Sequence, residues 1–174
     1  MPARDRQAAG TVEPAADQGA RRTKPTRSLL SRATALLARR DHSRAELAQK
    51  LCRYLGEGDD PAEIVRVLDK LDSTQLLSDE RFAAAVARNR SLRFGDARIR
   101  HDLKRFGVAA DISANTLASM SGSELERARH VWSRRFTALP ASPAERGKQA
   151  RFLQARGFSI DSIVNVLRGR LDGD

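Results

Sequence analysis

Cysteine, aromatic side chains and long apolar runs are scarce in this sequence of 174 residues. Its single cysteine, Cys52, excludes an intramolecular disulfide and is typical of a protein from a reducing compartment. Because Cys52 follows Leu51 in a helical pattern, we expect it to be a small core residue. No stretch approaches the roughly 18 consecutive apolar residues of a membrane span, and the first residues lead into no apolar signal segment. These absences indicate a cytoplasmic protein without a membrane partner.

The motifs of common enzyme classes are also missing. The sequence has no glycine-rich phosphate loop, no nucleophile elbow, no HExxH pair and no paired cysteine motif. Three histidines, His42, His101 and His130, stand far apart, without a partner at the spacing of metal ligands. Most acidic residues stand where helices are expected to begin, and helix capping explains them there. We therefore expect no catalytic residue, no metal and no cofactor, and a protein that acts by binding.

The residues that are abundant favour helices. Ala, Leu and Arg dominate, whereas the alternating β-branched and aromatic residues of strands are missing. Helix starts are marked by a capping residue, either with an acid three positions later or with a proline directly after it. The acid follows at Ser43 with Glu46 and at Ser123 with Glu126, and we expect Glu46 to reach back to Ser43 in a capping box. The proline follows at Asp60 with Pro61 and at Ser142 with Pro143, and Ser78 instead has two acids, Asp79 and Glu80, in the first turn. The fold class is therefore all-α.

The starts and stops recur at a spacing of about 50 residues, which is the mark of a repeat. Glycines expected in the left-handed position that ends a helix are Gly56, Gly107 and Gly157. Residues 103–108 align with 153–158, and residues 46–51 align with 98–103. We predict a basic, mobile tail over 1–26, followed by three-helix repeats over 27–72, 73–120 and 121–174. Such units are marginal alone and should stack into an elongated, curved array.

The predicted helices follow from these signals. They cover 29–40, 43–55 and 60–72 in the first repeat, 78–92, 95–106 and 109–119 in the second, and 123–137, 143–156 and 159–170 in the third. The last of these repeats also contains Trp132 and Phe136, four positions apart on one helix. We expect them to pack in its core; an exposed Trp132 would instead suit a protein interface.

Positive charge is concentrated in the second repeat. The whole chain has a net charge of +10, and residues 81–105 hold eight basic residues against two acidic ones, whereas 27–72 hold nine against eight. On the helix predicted over 95–106, Ile99, Leu103 and Phe106 form one apolar stripe, so the basic residues spread over the remaining surface. Candidate contact residues are Arg88, Arg90, Arg93, Arg98, Arg100, Lys104 and Arg105.

This basic segment has two interpretations. It can bind a polyanion, either phosphates or carboxylates, because arginine pairs bidentately with both. Alternatively, the arginines are solvated and reflect an arginine-rich composition. The local concentration favours binding, but the pattern does not decide between the two anions.

Several separated motifs, in order, resemble the RecX family. The central run is LDKLDSTQLLSDERFA over 68–83, followed by VARNR over 86–90, GDARIRHDL over 95–103 and GV at 107–108. ALLARRDHS over 35–43 and RFLQARGF over 151–158 also fit, so the resemblance covers about 28–170. The sequence departs from the family pattern at Asp96, where proline is frequent, and at Asp102, where glutamate is frequent. Asp96 can still cap a helix, so the architecture is not in doubt.

The resemblance implies a function. RecX proteins are three tandem three-helix units that bind in the helical groove of the RecA–DNA filament, across more than one RecA subunit. They lower the ATPase, strand-exchange and coprotease activities of RecA. We therefore expect a monomeric negative modulator of the RecA filament, acting in DNA repair and the SOS response. The alternatives are a helical protein that binds single- or double-stranded DNA directly and a scaffold for some other acidic protein.

Overall fold

Three bundles of three short helices form the part of the chain that the computed structural model describes, residues 28–120 and 122–169. The first contains α1 (Leu29–Leu37), α2 (Arg44–Cys52) and α3 (Ala62–Ser73). The second contains α4 (Asp79–Ser91), α5 (Asp96–Arg105) and α6 (Ala110–Ala118), and the third α7 (Glu124–Ser133), α8 (Pro143–Gln154) and α9 (Ile160–Arg168). The described ranges contain no strand, so the predicted all-α repeat array is confirmed. The predicted tail over 1–26 lies outside these residues.

Each bundle, called unit 1, 2 or 3 from here on, has its own hydrophobic core. Leu47, Leu51 and Leu71 are fully enclosed in unit 1, Ile99 and Leu103 in unit 2, and Leu153 in unit 3. The helices pack most closely against the other two helices of their own unit. Three separate cores distinguish a repeat array from a globule with a single core. The repeat boundaries at 72/73 and 120/121 stay a prediction.

Four helices, α2, α4, α7 and α8, begin at the predicted capping residues Ser43, Ser78, Ser123 and Ser142. At α3 the cap position is Pro61 rather than the predicted Asp60, whose carboxylate still accepts from the Ala62 amide at 2.9 Å. The Oγ atom of Ser123 accepts from the amide of Glu126, whose carboxylate accepts from the amide of Ser123 in return. Ser43 accepts from the Glu46 amide in the same way, but the expected return bond is absent. The Glu46 carboxylate instead pairs with Arg40 and Lys50, at 2.5 and 3.0 Å. The full capping box predicted at Ser43 is therefore wrong.

Two of the three predicted helix stops are correct. Gly107 and Gly157 have φ angles of 75° and 78°, the left-handed conformation that glycine adopts without strain. Gly56 is not left-handed; it lies in the turn after α2, where Gly58 has the positive φ of 92°. The Asp59 carboxylate, rather than a helical carbonyl, accepts from the Gly56 amide at 2.7 Å. The extra residues after α2 therefore interrupt the repeat.

Two further expectations concern single side chains. Cys52 is exposed, so its assignment to the core is wrong; Leu47 and Leu51 form the buried stripe of α2, and Cys52 lies beyond it around the helix. Trp132 packs against the core of unit 3 as expected, and its Nε1 atom donates to the Gln149 side chain at 2.7 Å. A buried indole N–H needs such an acceptor.

The units join where the middle helices α2, α5 and α8 meet end to end. The Oγ atom of Ser43, before α2, donates to the carbonyl of Phe106 at the end of α5, at 2.5 Å. At the next junction the amide of Gly95, before α5, donates to the carbonyl of Arg156 after α8, at 3.0 Å. The C-terminal end of one helix therefore supplies acceptors to the N-terminal end of another. This satisfies end groups that have no partner within their own helix and aligns the helix dipoles favourably.

A carboxylate completes each junction at an equivalent place. Asp79, the first residue of α4, accepts from the amide of Arg44 at the start of α2, at 2.7 Å. Glu124, the first residue of α7, accepts from the amide of Asp96 at the start of α5, at 2.9 Å. An anion near a helix N-terminus is stabilised by the amides and by the dipole. Each carboxylate therefore ties the first helix of one unit to the middle helix of the unit before it.

The junctions also need residues without a side chain. A Cβ atom on Gly157 would lie 2.6 Å from the Arg98 amide nitrogen, and one on Gly107 would lie 2.5 Å from the Cβ of Ala45. Gly95 has an ordinary φ of −79°, but a Cβ there would lie 2.4 Å from the Gly157 carbonyl oxygen. Backbone meets backbone at the second junction, and a side chain would force it apart.

Alanine substitutions can separate close packing from backbone conformation. We expect Gly58→Ala, which has a positive φ but no atom within 4 Å of its added Cβ, to lose only about 1 kcal/mol of unfolding free energy. Gly95→Ala, which adds only the contact, should lose about 1–3 kcal/mol. Gly157→Ala combines both penalties and should lose more than either. Urea denaturation followed by circular dichroism measures all three, and a Gly95→Ala variant as stable as the parent would contradict the close junction.

Glu124 makes one junction dependent on pH. Burial, the largest influence, raises its pKa, but hydrogen bonds from Ser159, the Asp96 amide and Ser162 together outweigh it, so the pKa lies below 4.5. A pKa lower in the folded state means that the ionised form stabilises the fold. That contribution is complete above pH 4.5 and is lost as the pH falls through the lower folded value.

Glu124→Gln should therefore lose about 1 kcal/mol at neutral pH, because a neutral amide accepts these bonds more weakly. The difference from the parent should shrink as the pH falls below 4.5. Glu57→Gln, in an exposed turn, serves as the control and should match the parent throughout. Denaturation curves from pH 7 to pH 3 test this, and a constant difference would show that the charge of Glu124 is not involved.

Candidate partner-binding surface

The seven candidate cations lie on two helices of unit 2 and the turn between them. Arg88 and Arg90 are on the last turn of α4, Arg93 lies in the turn, and the others are on α5. The predicted apolar stripe is confirmed: Ile99 and Leu103 are fully buried, and Phe106, directly after α5, is partly buried against the same core. All seven candidates are exposed on the surface that remains, and we call this set the unit 2 basic surface: Arg88, Arg90, Arg93, Arg98, Arg100, Lys104 and Arg105.

A buried carboxylate, which the sequence did not reveal, lies beneath this surface. The side chain of Asp102 is only 5% exposed, although it belongs to the same helix as four of the cations. It follows Ile99 by three positions, so it faces the interior of the unit beside the apolar stripe. One carboxylate oxygen lies 3.4 Å from Nε of Arg90 and the other 3.5 Å from Nε of Arg98. Both arginines therefore have an internal counterion.

Phe94 reinforces this arrangement. The guanidinium groups of Arg90 and Arg98 lie 5.7 and 5.8 Å from the centre of its ring. A cation near an aromatic face gains about 0.5–1 kcal/mol at an exposed site. Arg90 and Arg98 are thus held by Asp102 and Phe94, and they are less free than the others to turn toward a partner.

The other five cations are different. Arg88, Arg93, Arg100, Lys104 and Arg105 have no carboxylate within 4 Å in the described part of the chain. Because Lys104 and Arg105 end α5, they also lie where a helix dipole favours positive charge. The seven candidates therefore divide into two arginines compensated by a buried carboxylate and five cations without an ion pair, which we call uncompensated, although Arg100 is still attracted to Asp96 at longer range. An external anion gains most from the second group.

Unit 1 adds two cations that the sequence argument missed. Lys50 of α2 and Arg53, directly after α2, line a cleft of about 480 Å³ with Lys104 and Arg105, at the junction between units 1 and 2. Glu46 also lines it, but Arg40 and Lys50 already compensate its charge. Burial raises the pKa of Glu46, but the hydrogen bonds from Arg40 and Lys50 outweigh this effect, so the pKa of Glu46 lies below its ordinary value. The alignment of 46–51 with 98–103 makes α2 and α5 equivalent helices of successive repeats, but it does not predict that their ends meet.

Within residues 28–120 and 122–169, no group of three His, Cys, Asp or Glu side chains is placed to hold a metal ion. In the same ranges, no helix has the length and apolar character needed to cross a bilayer.

Comparison with known proteins shows which protein family this chain resembles in sequence. Residues 78–117 match the model of the second three-helix domain of RecX, and residues 123–167 match the model of the third. The regulatory protein RecX of Leptothrix cholodnii is 48% identical over 83% of this chain and 90% of its own length. This chain belongs to the RecX family. The regulatory protein RecX of Ralstonia nicotianae is 42% identical over 82% of the chain and 87% of its own length.

The fold of the RecX family agrees with this assignment. The crystal structure of RecX from Lactobacillus salivarius superposes with a TM-score of 0.70, over 81% of this chain and 93% of that one. Only 18% of the aligned residues are identical, so the likeness concerns the fold alone. The family is one of regulatory proteins, which agrees with the expectation of a protein that acts by binding.

Asp102 generates a prediction about this surface. Asp102→Asn removes the counterion of Arg90 and Arg98, and we expect a loss of about 1 kcal/mol of unfolding free energy. The expected loss is small because both arginine side chains are almost half exposed, at 44% and 47%, so solvent screens the pairs.

The control is Asp72→Asn on α3, an exposed aspartate with no ion pair in the described residues, which should stay within about 0.5 kcal/mol of the parent. Urea denaturation at low salt and at 1 M salt measures both variants, and high salt should narrow the difference at Asp102. An Asp102→Asn variant more stable than the parent would show that the cost of burying the charge exceeds the attraction.

Proposed function

We propose that this protein is a negative modulator of RecA recombinase that binds in the helical groove of the RecA–DNA filament. Bound there, it inhibits ATP hydrolysis, strand exchange and coprotease activity, and so acts in DNA repair and the SOS response. The observation that carries the proposal is the set of five uncompensated cations on unit 2, in a chain of the RecX family. Arginine and lysine placed without a counterion favour an external anion.

The repeat architecture supports a polymeric partner. Hydrogen bonds at both junctions hold the three units in a row, so that each unit can offer one surface to a partner. If several surfaces bind neighbouring subunits of one filament, each later contact forms at a high effective concentration. Individually weak contacts then hold the protein on a filament but not on a single subunit.

The same cations support a second candidate, direct binding to DNA. Arg88, Arg100, Lys104 and Arg105 can pair with phosphates as readily as with carboxylates. Affinity for naked DNA would then fall steeply as salt rises, because each phosphate contact releases a counterion. A filament modulator should instead prefer RecA-coated DNA at physiological salt.

The first test reverses the charges of three uncompensated cations. Arg100→Glu, Lys104→Glu and Arg105→Glu together should raise the concentration needed for half-inhibition of the DNA-stimulated ATPase of RecA by about tenfold or more. Arg98 is left unchanged, since a glutamate there would face the buried Asp102 and destabilise unit 2.

The matched control reverses three exposed cations of α8, which form no ion pair in the described ranges: Arg146, Lys148 and Arg151. It changes the net charge by the same amount and should inhibit almost as well as the parent. Circular dichroism verifies that both variants are folded. Equal loss of inhibition in the two variants would show that only the net charge of the protein matters. Unchanged inhibition by the triple variant of α5 would exclude a role of Arg100, Lys104 and Arg105 in binding.

A binding measurement separates the two candidate functions. Fluorescence anisotropy with labelled single-stranded DNA, bare or coated with RecA and a non-hydrolysable nucleotide, should show preferential binding to the coated strand at about 0.15 M salt. Equal affinity for both would favour the direct DNA-binding function.

A further inference from the structure

A second cleft, at the junction between units 2 and 3, brings together arginines from three separate segments of the chain. It measures about 510 Å³ and is open to solvent. Eight residues line it, four of them arginines and four of them apolar: Arg93, Arg134, Arg135, Arg156, Leu92, Phe94, Val131 and Phe152. We call it the unit 2–3 cleft. Only Arg93 belongs to both the cleft and the unit 2 basic surface.

The charge of this cleft is not compensated from within. No carboxylate is among its lining residues, and Arg93, Arg134 and Arg135 form no ion pair in the part of the chain that the structure describes. Arg156 donates to the carbonyl of Phe152 at 3.1 Å, a neutral acceptor. Guanidinium groups that converge on one concave site attract an anionic group, and carboxylates match their geometry.

The cleft also has an unusual apolar component. The side chain of Leu92 is 65% exposed, although it is large and apolar. Val131 of α7, a buried member of the unit 3 core, forms the floor beside it. An exposed apolar residue within a ring of charge is typical of a protein interface, where an apolar centre is surrounded by a polar rim.

The two aromatic rings help to identify the class of partner. A single-stranded nucleic acid would need a free aromatic face on which a base can stack. The guanidinium of Arg156 lies 3.7 Å from the centre of the Phe152 ring and covers one face, while Phe136 meets the same ring edge-on at 5.2 Å. Phe94 is flanked by the guanidinium groups of Arg90 and Arg98. Both rings are already engaged, which disfavours base stacking.

We propose that the unit 2–3 cleft binds an acidic segment of a partner protein that carries an apolar anchor residue. The anchor packs against Leu92 and Val131, and its flanking carboxylates pair with Arg93, Arg134 and Arg135. Such a segment can pair with the arginines and also pack against the apolar side chains of the lining, whereas a phosphate backbone can pair only with the arginines. This inference goes beyond the proposed function, since it names a different site and does not depend on RecA.

The test uses a defined probe rather than a natural partner. The probe is a fluorescein-labelled peptide with two adjacent leucines between blocks of three glutamates, titrated with the full chain at about 0.15 M salt. Arg134→Glu with Arg135→Glu should weaken binding by about tenfold or more, since both pairing groups become repulsive. Leu92→Ser should weaken it by roughly threefold to tenfold through the loss of apolar contact.

Two controls isolate the features that matter. Arg146→Glu with Lys148→Glu, on α8 outside the cleft, changes the net charge equally and should leave the affinity within about twofold of the parent. A second peptide with serines in place of the leucines should bind as weakly to the parent as the first peptide binds to Leu92→Ser. Leu92 is exposed, so this variant tests the proposal even if the double reversal disturbs folding.

Three outcomes would overturn the proposal. Equal weakening by both double reversals would mean that only net charge matters. No effect of Leu92→Ser would remove the apolar anchor. If unlabelled oligothymidylate displaced the peptide, and its affinity depended on Arg134 and Arg135 but not on Leu92, the cleft would be assigned to nucleic acid. Because the assay contains no RecA, these outcomes leave the proposed function untouched.

Discussion

The end-to-end contact between middle helices is the constraint on which the rest of this structure depends. Each unit is small, and its hydrophobic core is separate from the cores of the other two units. The relative placement of the units is therefore fixed by a few groups: carbonyls after α5 and α8, donors before α2 and α5, and the carboxylates of Asp79 and Glu124. Helix ends need partners in any case, so the protein joins its repeats by letting one helix end satisfy another.

Clefts lined by cations follow from this mode of joining. A cleft lies at each of the two places where middle helices meet. The C-terminal turn of a helix favours lysine and arginine, so the residues that border such a cleft are often basic. Lys104 and Arg105 at the end of α5, and Arg156 after α8, are examples. Charge density and concavity thus arise at the same places for the same reason.

The sequence predicted the helices and their repeat well because both depend on local signals. Capping serines, and glycines such as Gly107 and Gly157, act within a few residues of where they stand. Pairings between helices have no such signature, so the burial of Asp102 between Arg90 and Arg98 was not predicted. The unit 2–3 cleft was missed for the same reason, since its arginines come from three separate segments. Local errors, such as Gly56, arose where extra residues after α2 break the repeat.

The seven candidate cations should not contribute equally to binding, because two of them are paired with a buried carboxylate and five are not. The sequence alone suggests seven equivalent contacts, six arginines and one lysine. An arginine beside a buried carboxylate, however, must lose that attraction before it gains another. Arg90 and Arg98 would therefore contribute little net affinity, although they keep the surface potential positive and speed encounter with an anion. Lys104 and Arg105 have no such partner within the described chain, so nearly all of their attraction is available to a ligand. The free energy of binding should accordingly come from fewer residues than the charge suggests, those at the unit junctions.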